Sequence, residues 1–388
     1  MDPYDVCIVG AGVVGCALAR ELATRAGGHA LRILVLEQHR GAGEETSSRN
    51  SGVLHGGIHE DPATLKGRLA REGSRLAVSY AVERGIPLLR SGMVIAVAWE
   101  DVRSGLWRDL AMLRRLWVNA RRSRLSVSFV TPRGLRAWEP HLHACGAIVI
   151  PSICVIDPAA WVSALKADAE AAGVTFAFEH RVVGIDPEDD GYMVTTDRKR
   201  IRTAGLINAA GLHADDVASF LSGKSSYTIH PLRGEYYEIV APEKKGLIGR
   251  LVYPALPPGA AGKGIHFSPR PNGRLYIGPN EVAVRDKTDY TSNPTPPGLF
   301  LTAVRRFLPA LEEGDLRWAY SGIRPSVMTE GGLKHDFIVA VARETPPFVN
   351  LIGIESPGLS AAMALARHVV NLPCVNARWP LSSTDGRA

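Results

Sequence analysis

The sequence lacks paired cysteines and long apolar runs, and each absence excludes a class of protein. Its 388 residues hold five cysteines, none of them in a Cys-x-x-Cys arrangement. This scatter predicts neither a dithiol redox pair nor a cysteine zinc site, and we expect Cys7 and Cys16 to be small buried apolar side chains. No apolar run reaches the roughly 18 residues of a membrane-spanning helix, and no signal peptide pattern is present. We therefore expect a cytoplasmic protein.

The positive charge is concentrated in one stretch. The chain is 46% hydrophobic with a formal net charge of +6, a composition typical of a folded protein large enough for two cores. Nine arginines and one acid, Asp109, lie between Arg103 and Arg136. Leu106, Leu110, Leu113 and Trp117 follow helical spacing there, which favours a solvated face of an amphipathic helix. A peripheral contact with an anionic membrane at the inner face is a second interpretation. RNA binding is a remote third, and we expect no nucleic acid partner because no base-reading motif is present.

A glycine-rich turn follows an apolar segment near the start of the chain. Gly10, Gly12 and Gly15 form a GxGxxG pattern after Val6–Val9, and a helix is predicted over Val13–Arg25. Such a turn lets the backbone approach a pyrophosphate and aims the amino end of the helix at it. Glu37 ends the next apolar segment about twenty residues later, where an acid accepts hydrogen bonds from a ribose. The pattern predicts dinucleotide binding.

The rest of the chain alternates between helical and strand patterns. We predict helices over 64–84, 159–172 and 358–370, and strands over 93–98, 174–178, 192–196, 206–211 and 348–354, of which 206–211 ends in small residues. These pieces suggest a discontinuous nucleotide domain of residues 1–88, 148–222 and 318–375. The remaining stretches, 89–147 and 223–317, read as a second, substrate-binding domain inserted into the first, and 376–388 as a tail.

Several short segments, in this order and spacing, resemble a known family. They are residues 46–58 (TSSRNSGVLHGGI), 65–66 (LK), 232–236 (LRGEY), 252–254 (VYP), 264–270 (GIHFSPR), 277–280 (IGPN) and 322–324 (GIR). The chain resembles FAD-dependent oxidoreductases of the D-amino-acid-oxidase type, and within them the L-2-hydroxyglutarate dehydrogenase/oxidase branch. The resemblance implies an α/β fold with a Rossmann-like FAD-binding domain and an inserted, mainly antiparallel β substrate domain.

With the glycine turn, the resemblance implies a set of FAD contacts. Backbone N–H groups at Gly358 would face the flavin carbonyl edge, where negative charge collects on reduction. The expected FAD-binding residues are Gly10, Gly12, Val13, Val14, Gly15, Glu37, Gln38, Ser47, Ser48, Asn50, Val182, Ala210, Gly211, Gly358, Leu359 and Ser360.

The implied reaction is oxidation of an L-2-hydroxy acid, with L-2-hydroxyglutarate the leading substrate and 2-oxoglutarate the product. It needs a base for the hydroxyl proton, flavin N5 as hydride acceptor and cations for the carboxylate, but no metal. His55 and His266 are the candidate bases. Arg324 is the leading carboxylate ligand, because a guanidinium matches a carboxylate bidentately. The further substrate-binding candidates are Lys66, Arg233, Tyr253, Arg270 and His59. Quinone or oxygen would accept the electrons.

Two positions depart from the branch. It usually has two aromatic residues where this chain has His59 and Glu60, and an added carboxylate would repel a dianionic acid unless it were paired. Oxidation of an amino acid, an amine or glycerol 3-phosphate therefore stays open as the alternative, the last because His59 resembles a basic position of the glycerol-phosphate branch.

Overall fold

The computed structural model describes residues 4–26, 31–223, 226–256, 264–329, 332–334 and 336–382. The predicted tail is thus described only as far as residue 382. For residues 101–110, 222, 328–329 and 332–334 the description covers the backbone alone, so the side chains of Arg103, Leu106, Arg108, Asp109 and Leu110 lie outside it.

The described part of the chain alternates strands and helices. The α-helices are α1 (Val13–Arg25), α2 (Leu65–Glu83), α3 (Trp99–Arg122), α4 (Pro132–Trp138), α5 (Pro158–Ala171), α6 (Ala214–Ser222), α7 (Pro297–Arg305), α8 (Gly358–Val370) and α9 (Pro373–Arg378). The strands are β1 (Val6–Val9), β2 (Ile33–Leu36), β3 (Val53–Leu54), β4 (Leu88–Leu89), β5 (Met93–Val97), β6 (Ser128–Val130), β7 (Gly146–Ile150), β8 (Cys154–Ile156), β9 (Thr175–Ala177), β10 (Val182–Glu188), β11 (Gly191–Thr196), β12 (Arg200–Thr203), β13 (Leu206–Asn208), β14 (Thr228–Ile239), β15 (Leu251–Pro254), β16 (His266–Pro269), β17 (Leu275–Gly278), β18 (Val282–Ala283), β19 (Leu316–Thr329), β20 (Gly332–Lys334), β21 (Ile338–Arg343) and β22 (Phe348–Ile352).

The first of two compact units comprises Met1–Ser48, Pro158–Pro231 and Arg324–Ala388. Its main sheet has the order β21-β22-β13-β1-β2-β9, and β1 runs parallel to both β2 and β13. Every residue of β1, β2 and β13 is buried, as is typical of parallel strands covered on both faces. Helix α1 packs against α5 and α8. A second, antiparallel sheet, β10-β11-β12, completes this unit's layers.

The second unit comprises Arg49–Asp157 and Leu232–Ile323. Its large sheet has the order β19-β14-β17-β16-β15-β5-β7-β6, in which β15 and β5 are parallel and β16 is antiparallel to both of its neighbours, β15 and β17. Aliphatic and aromatic side chains of this sheet and of α7 pack together in its core. A small antiparallel sheet, β3-β8-β4, belongs to the same unit. The α/β fold class, with a Rossmann-like unit and a second, mainly β unit, is confirmed.

Residues 49–88 were predicted in the nucleotide domain but belong to the second unit, as do residues 148–157, which contain β8. The difference arises because β3 and β4 are two residues long, too short to show a period, and their partners in β8 lie 102 and 68 residues away. In the described part of the chain, no helix is both long and apolar enough to cross a membrane.

Candidate active site

The glycine turn connects β1 to α1 at the carboxyl edge of the parallel sheet. Gly10 has a φ of +104°, a conformation that side-chain-bearing residues rarely adopt. A Cβ atom on Gly10 would lie 2.6 Å from the carbonyl oxygen of Ala209, and one on Gly15 would lie 1.9 Å from the carbonyl oxygen of Gly10. Neither distance is possible for a real Cβ atom. The turn is therefore as tight as a dinucleotide fingerprint requires.

Glu37 follows β2 and lies beside this turn. Its carboxylate is buried, and its two oxygens accept hydrogen bonds from the backbone N–H groups of Ala11 at 2.8 Å and His39 at 2.9 Å. The next residue, Gln38, donates its amide to Glu45 Oε1 at 3.2 Å. The acid predicted to contact a ribose is thus held at the sheet edge against the turn itself.

Ser47 caps the start of α1. Its Oγ accepts a hydrogen bond from the backbone N–H of Val13 at 2.9 Å, and a Cβ atom on Gly12 would lie 3.0 Å from it. Ser48 lies beside Gly43, whose Cβ would be 3.3 Å from the Ser48 Oγ. The 43–48 segment therefore packs closely on the glycine turn.

A second return of small residues follows β13, the other neighbour of β1. The Asn208 side chain, fully buried, donates to the carbonyl oxygen of Ala214 at 2.7 Å and to Asn350 Oδ1 at 2.8 Å. Its Oδ1 accepts from the N–H of Ala210 at 3.2 Å. Asn208 thus fixes the 209–214 segment, in which Gly211 has a φ of +54°.

The other predicted cofactor residues of this unit lie at the ends of α8 and β10. Helix α8 begins at Gly358, and its N-cap residue, Pro357, makes no side-chain capping hydrogen bond. Leu359 is half-buried and Ser360 fully buried in the first turn, where the helix dipole favours an anionic partner. Val182 begins β10 and is buried. In the same unit, Arg324 lies half-buried in β19.

The second unit brings four predicted site residues together in a cluster of rings. Tyr253 of β15 stacks on His266 of β16, with ring centroids 3.8 Å apart. His55, after β3, lies 6.4 Å from the Tyr253 ring and 5.9 Å from the His59 ring, and His59 lies 5.7 Å from Tyr253. His55, Tyr253 and His266 are each less than a tenth exposed. We call these four residues the ring cluster.

A hydrogen bond orients His266 within the ring cluster. Its Nδ1 lies 3.0 Å from the carbonyl oxygen of Gly264. A carbonyl oxygen only accepts, so Nδ1 carries the proton in this contact, and Nε2 is then the basic nitrogen of the neutral ring.

Arg270, which follows β16, forms a hydrogen bond to the segment that leads to His55. Its Nη2 donates to the carbonyl oxygen of Asn50 at 2.9 Å and to the hydroxyl of Tyr320. Its Nη1 is buried, and a Cβ atom on Gly52 would lie 2.9 Å from it. Asn50 Oδ1 is itself occupied by the N–H of Gly52 at 2.8 Å. Sequence reasoning missed Tyr320, whose ring stacks on Tyr236 at 4.6 Å.

Tyr320 stays protonated at any physiological pH. Burial raises its pKa far above the ordinary value for a tyrosine, and the nearby Arg270 only partly opposes this effect. Tyr320 therefore remains a neutral phenol, so its hydroxyl both accepts from Arg270 and donates to the carbonyl oxygen of Asn50 at 3.1 Å.

The structure gives Arg233 a different role from the one predicted. Its guanidinium is almost fully buried and forms ion pairs with Glu235 and Asp289, each at 3.0 Å. It also donates to the carbonyl oxygen of Ser292 at 2.6 Å. Two carboxylates already balance its charge, so Arg233 holds β14 to the 289–293 segment, and we leave it out of the proposed substrate site.

Lys66 lies in the first turn of α2 and is buried. The helix is capped by Thr64, whose side chain accepts from the N–H of Gly67 at 3.1 Å. Among the described residues, no group of three His, Cys, Asp or Glu side chains has a metal-binding arrangement.

Comparison with known proteins identifies the family. The family described as "DAO: FAD dependent oxidoreductase" matches residues 5–372. The chain belongs to this family. It is an FAD-dependent oxidoreductase. Three features of the first unit fit this cofactor: the glycine turn, the buried acid after β2 and the small-residue segment after β13.

Individual relatives and solved structures span almost the whole chain. The chain is 27% identical to the mitochondrial L-2-hydroxyglutarate dehydrogenase of Caenorhabditis elegans, over 96% of this chain and 93% of that protein. It is 28% identical to a glycerol 3-phosphate dehydrogenase of Caloramator mitchellensis, over 95% of this chain and 73% of that protein. Its fold is similar to that of the L-alpha-glycerophosphate oxidase of Mycoplasma pneumoniae with FAD bound, with a TM-score of 0.85, 26% identity and coverage of 99% and 97%.

The close approach at Gly15 gives a test of the cofactor site. We expect Gly15→Ala to weaken FAD affinity at least about tenfold, because the new methyl group forces the turn and α1 apart. Gly314→Ala is the matched control, since nothing lies within 4 Å of its added Cβ atom. Titration of apoprotein with FAD, followed by flavin fluorescence, measures both, with circular dichroism to check folding. Wild-type FAD affinity in a folded Gly15→Ala protein would contradict the assignment.

Proposed function

We propose that this enzyme oxidises an L-2-hydroxy acid, with L-2-hydroxyglutarate as the leading substrate and 2-oxoglutarate as the product. The observation that carries the proposal is the buried ring cluster, which supplies a proton acceptor of defined tautomer in an enclosed setting. The L-2-hydroxyglutarate dehydrogenases among its relatives supply the substrate class.

The reaction removes two hydrogens from C2 and its hydroxyl group. When bound, FAD would supply the acceptor for the C2 hydrogen and its electron pair. The hydroxyl proton goes to the imidazole Nε2 of His266, leaving a carbon–oxygen double bond. Gly264 keeps Nδ1 protonated at 3.0 Å, and stacking on Tyr253 holds the ring plane, so the base is oriented before substrate arrives. His55 is the second candidate base in the same cluster.

Substrate carboxylates need fixed cations. We assign this role first to Arg324, whose planar guanidinium can bind a carboxylate through two hydrogen bonds. The buried Lys66 and Arg270 are further positive groups, while Tyr253 offers a hydroxyl group and His59 a ring nitrogen. Arg270 uses Nη2 for its hydrogen bonds to Asn50 and Tyr320. Only its other N–H groups are left to bind a ligand.

We propose that the FAD-binding residues are those expected from the sequence. Gly10, Gly12 and Gly15 let the pyrophosphate approach, with the N–H groups of Val13 and Val14 at the helix start. Glu37 and Gln38 serve the adenosine side, and Ser47, Ser48 and Asn50 the phosphates or ribityl chain. Support comes from the closeness of Glu37 and Ser47 to the turn. The others are Val182, Ala210, Gly211, Gly358, Leu359 and Ser360.

Glycerol 3-phosphate is the second candidate substrate. The structure places His59 inside the ring cluster, 5.9 Å from His55, which adds a basic group where the L-2-hydroxyglutarate branch usually has an aromatic residue. A glycerol 3-phosphate dehydrogenase and a glycerophosphate oxidase are among the similar proteins. Amino acids and amines are weaker alternatives, because the glycine oxidase of Geobacillus kaustophilus, at 21% identity, shares the fold alone.

For the electron acceptor we propose a quinone or oxygen. The exposed arginines of α3 would suit a peripheral contact with an anionic membrane, close to a quinone pool. The location of the enzyme would then be the cytoplasm, with part of it at the inner membrane face.

An anaerobic substrate panel tests the proposed function. We expect L-2-hydroxyglutarate to bleach the visible absorption of the enzyme's oxidised flavin, with 2-oxoglutarate formed in equal amount. D-2-hydroxyglutarate is the matched control and should leave the flavin oxidised. Bleaching by glycerol 3-phosphate alone would indicate the second candidate substrate. Bleaching by glycine or sarcosine alone would contradict both candidate substrates.

Replacing each histidine separates the base from its neighbour. We expect His266→Ala to lower kcat by roughly 10²–10⁴-fold, the usual contribution of a general base. It should also remove the fall in kcat/KM at acid pH, because the group whose protonation blocks the reaction is gone. His55→Ala should keep that acid limb. Steady-state kinetics across pH measures both variants. If His55→Ala loses the limb and His266→Ala keeps it, the base is His55.

A further inference from the structure

One face of α3 forms an open pocket with the segment that precedes α2. Arg115, Val118 and Arg122 recur at helical spacing on that face, flanked by Arg114 and Asn119, and Asp61 lines the opposite wall. The pocket has a volume of about 430 Å³. We call it the α3 pocket. All of its lining residues belong to the second unit.

The charge of the α3 pocket is not balanced from within. Three guanidinium groups face one carboxylate, and no described side chain forms an ion pair with Arg114, Arg115 or Arg122. The carboxylate of Asp61 accepts a hydrogen bond from the N–H of Ala63 at 2.9 Å, within its own turn. The pocket is therefore positively charged, and the three arginines are exposed to solvent.

The pocket has a fixed wall. Leu113, Leu116 and Ala120 on the other face of α3 are buried in an aliphatic core. Asn119, less than a tenth exposed, lies with Nδ2 at 3.4 Å from the carbonyl oxygens of Ile58 and Glu60. The arginines thus project from an anchored helix, which lowers the entropy lost when they bind a ligand.

We propose that the α3 pocket is a binding site for a phosphate-bearing anion. Three guanidinium groups on one helix face offer more donors than a single carboxylate can accept. A phosphate group, with several anionic oxygens, matches such donors bidentately. The phosphate comes either from a free phosphate compound or from the headgroup of an anionic phospholipid. None of the residues that line the α3 pocket belongs to the ring cluster, so anion binding there does not depend on which substrate the enzyme oxidises.

Calorimetric titration of the FAD-loaded enzyme with inorganic pyrophosphate at about 0.15 M salt, where the Debye length is about 8 Å, tests the proposal. We expect saturable binding that Arg115→Gln/Arg122→Gln weakens at least about tenfold, because two charge-assisted contacts are removed. The matched control is Arg133→Gln/Arg136→Gln, which removes the same charge from exposed positions of α4 in the same arginine-rich stretch. It should change the dissociation constant less than about twofold, since charges outside the contact are screened by solvent.

A second measurement separates the two sources of phosphate. Co-sedimentation with phosphatidylglycerol vesicles, blocked by pyrophosphate and lost in Arg115→Gln/Arg122→Gln, indicates a lipid headgroup. Pyrophosphate binding without vesicle binding indicates a free phosphate compound. Equal weakening in both double variants, or no arginine-dependent binding of either probe, would overturn the proposal.

Discussion

Three parallel strands, β2, β1 and β13, end side by side at one edge of the first unit's sheet, and the rest of the cofactor site depends on that alignment. The backbones come so close there that the Ala209 carbonyl oxygen excludes any side chain at Gly10. Helix α1 begins directly after this close approach of the backbones. Glu37, the acid after β2, is hydrogen-bonded to the same turn. A parallel sheet whose strand order changes direction at β1 leaves a crevice at that edge, the position in which such folds bind dinucleotides.

The second unit is organised by buried polar contacts. Arg270 joins β16 to the segment before β3, and Arg233 is balanced by two carboxylates. Burying a guanidinium is costly unless it is paired, so each of these arginines dictates its surroundings. Tyr253 and His266 of the ring cluster lie on β15 and β16, and Arg270 joins the end of β16 to the segment that leads to His55. The candidate bases thus have the rigid support that a catalytic base needs.

Most of the correct predictions of helices and strands came from local sequence patterns. The helix over Val13–Arg25 was predicted with its observed bounds, because glycine spacing and apolar periodicity act within a few residues. The clustering of His55 with His266 came from resemblance, since no local rule joins residues some two hundred positions apart. Two partners of the buried arginines also escaped prediction, because Asp289 is 56 residues from Arg233 and Tyr320 is 50 residues from Arg270. The arginine-rich stretch of the sequence did not predict the α3 pocket either, because the opposite wall of the pocket is formed by the segment before α2.

We propose that this FAD-dependent oxidoreductase breaks the C2–hydrogen bond of an L-2-hydroxy acid. The rate of flavin bleaching in anaerobic stopped flow tests this step, with L-2-hydroxyglutarate carrying either hydrogen or deuterium at C2. We expect bleaching with both substrates and a several-fold slower rate with deuterium, because the C2 hydrogen leaves with its electron pair in the step observed. Absence of bleaching with either substrate would rule the reaction out.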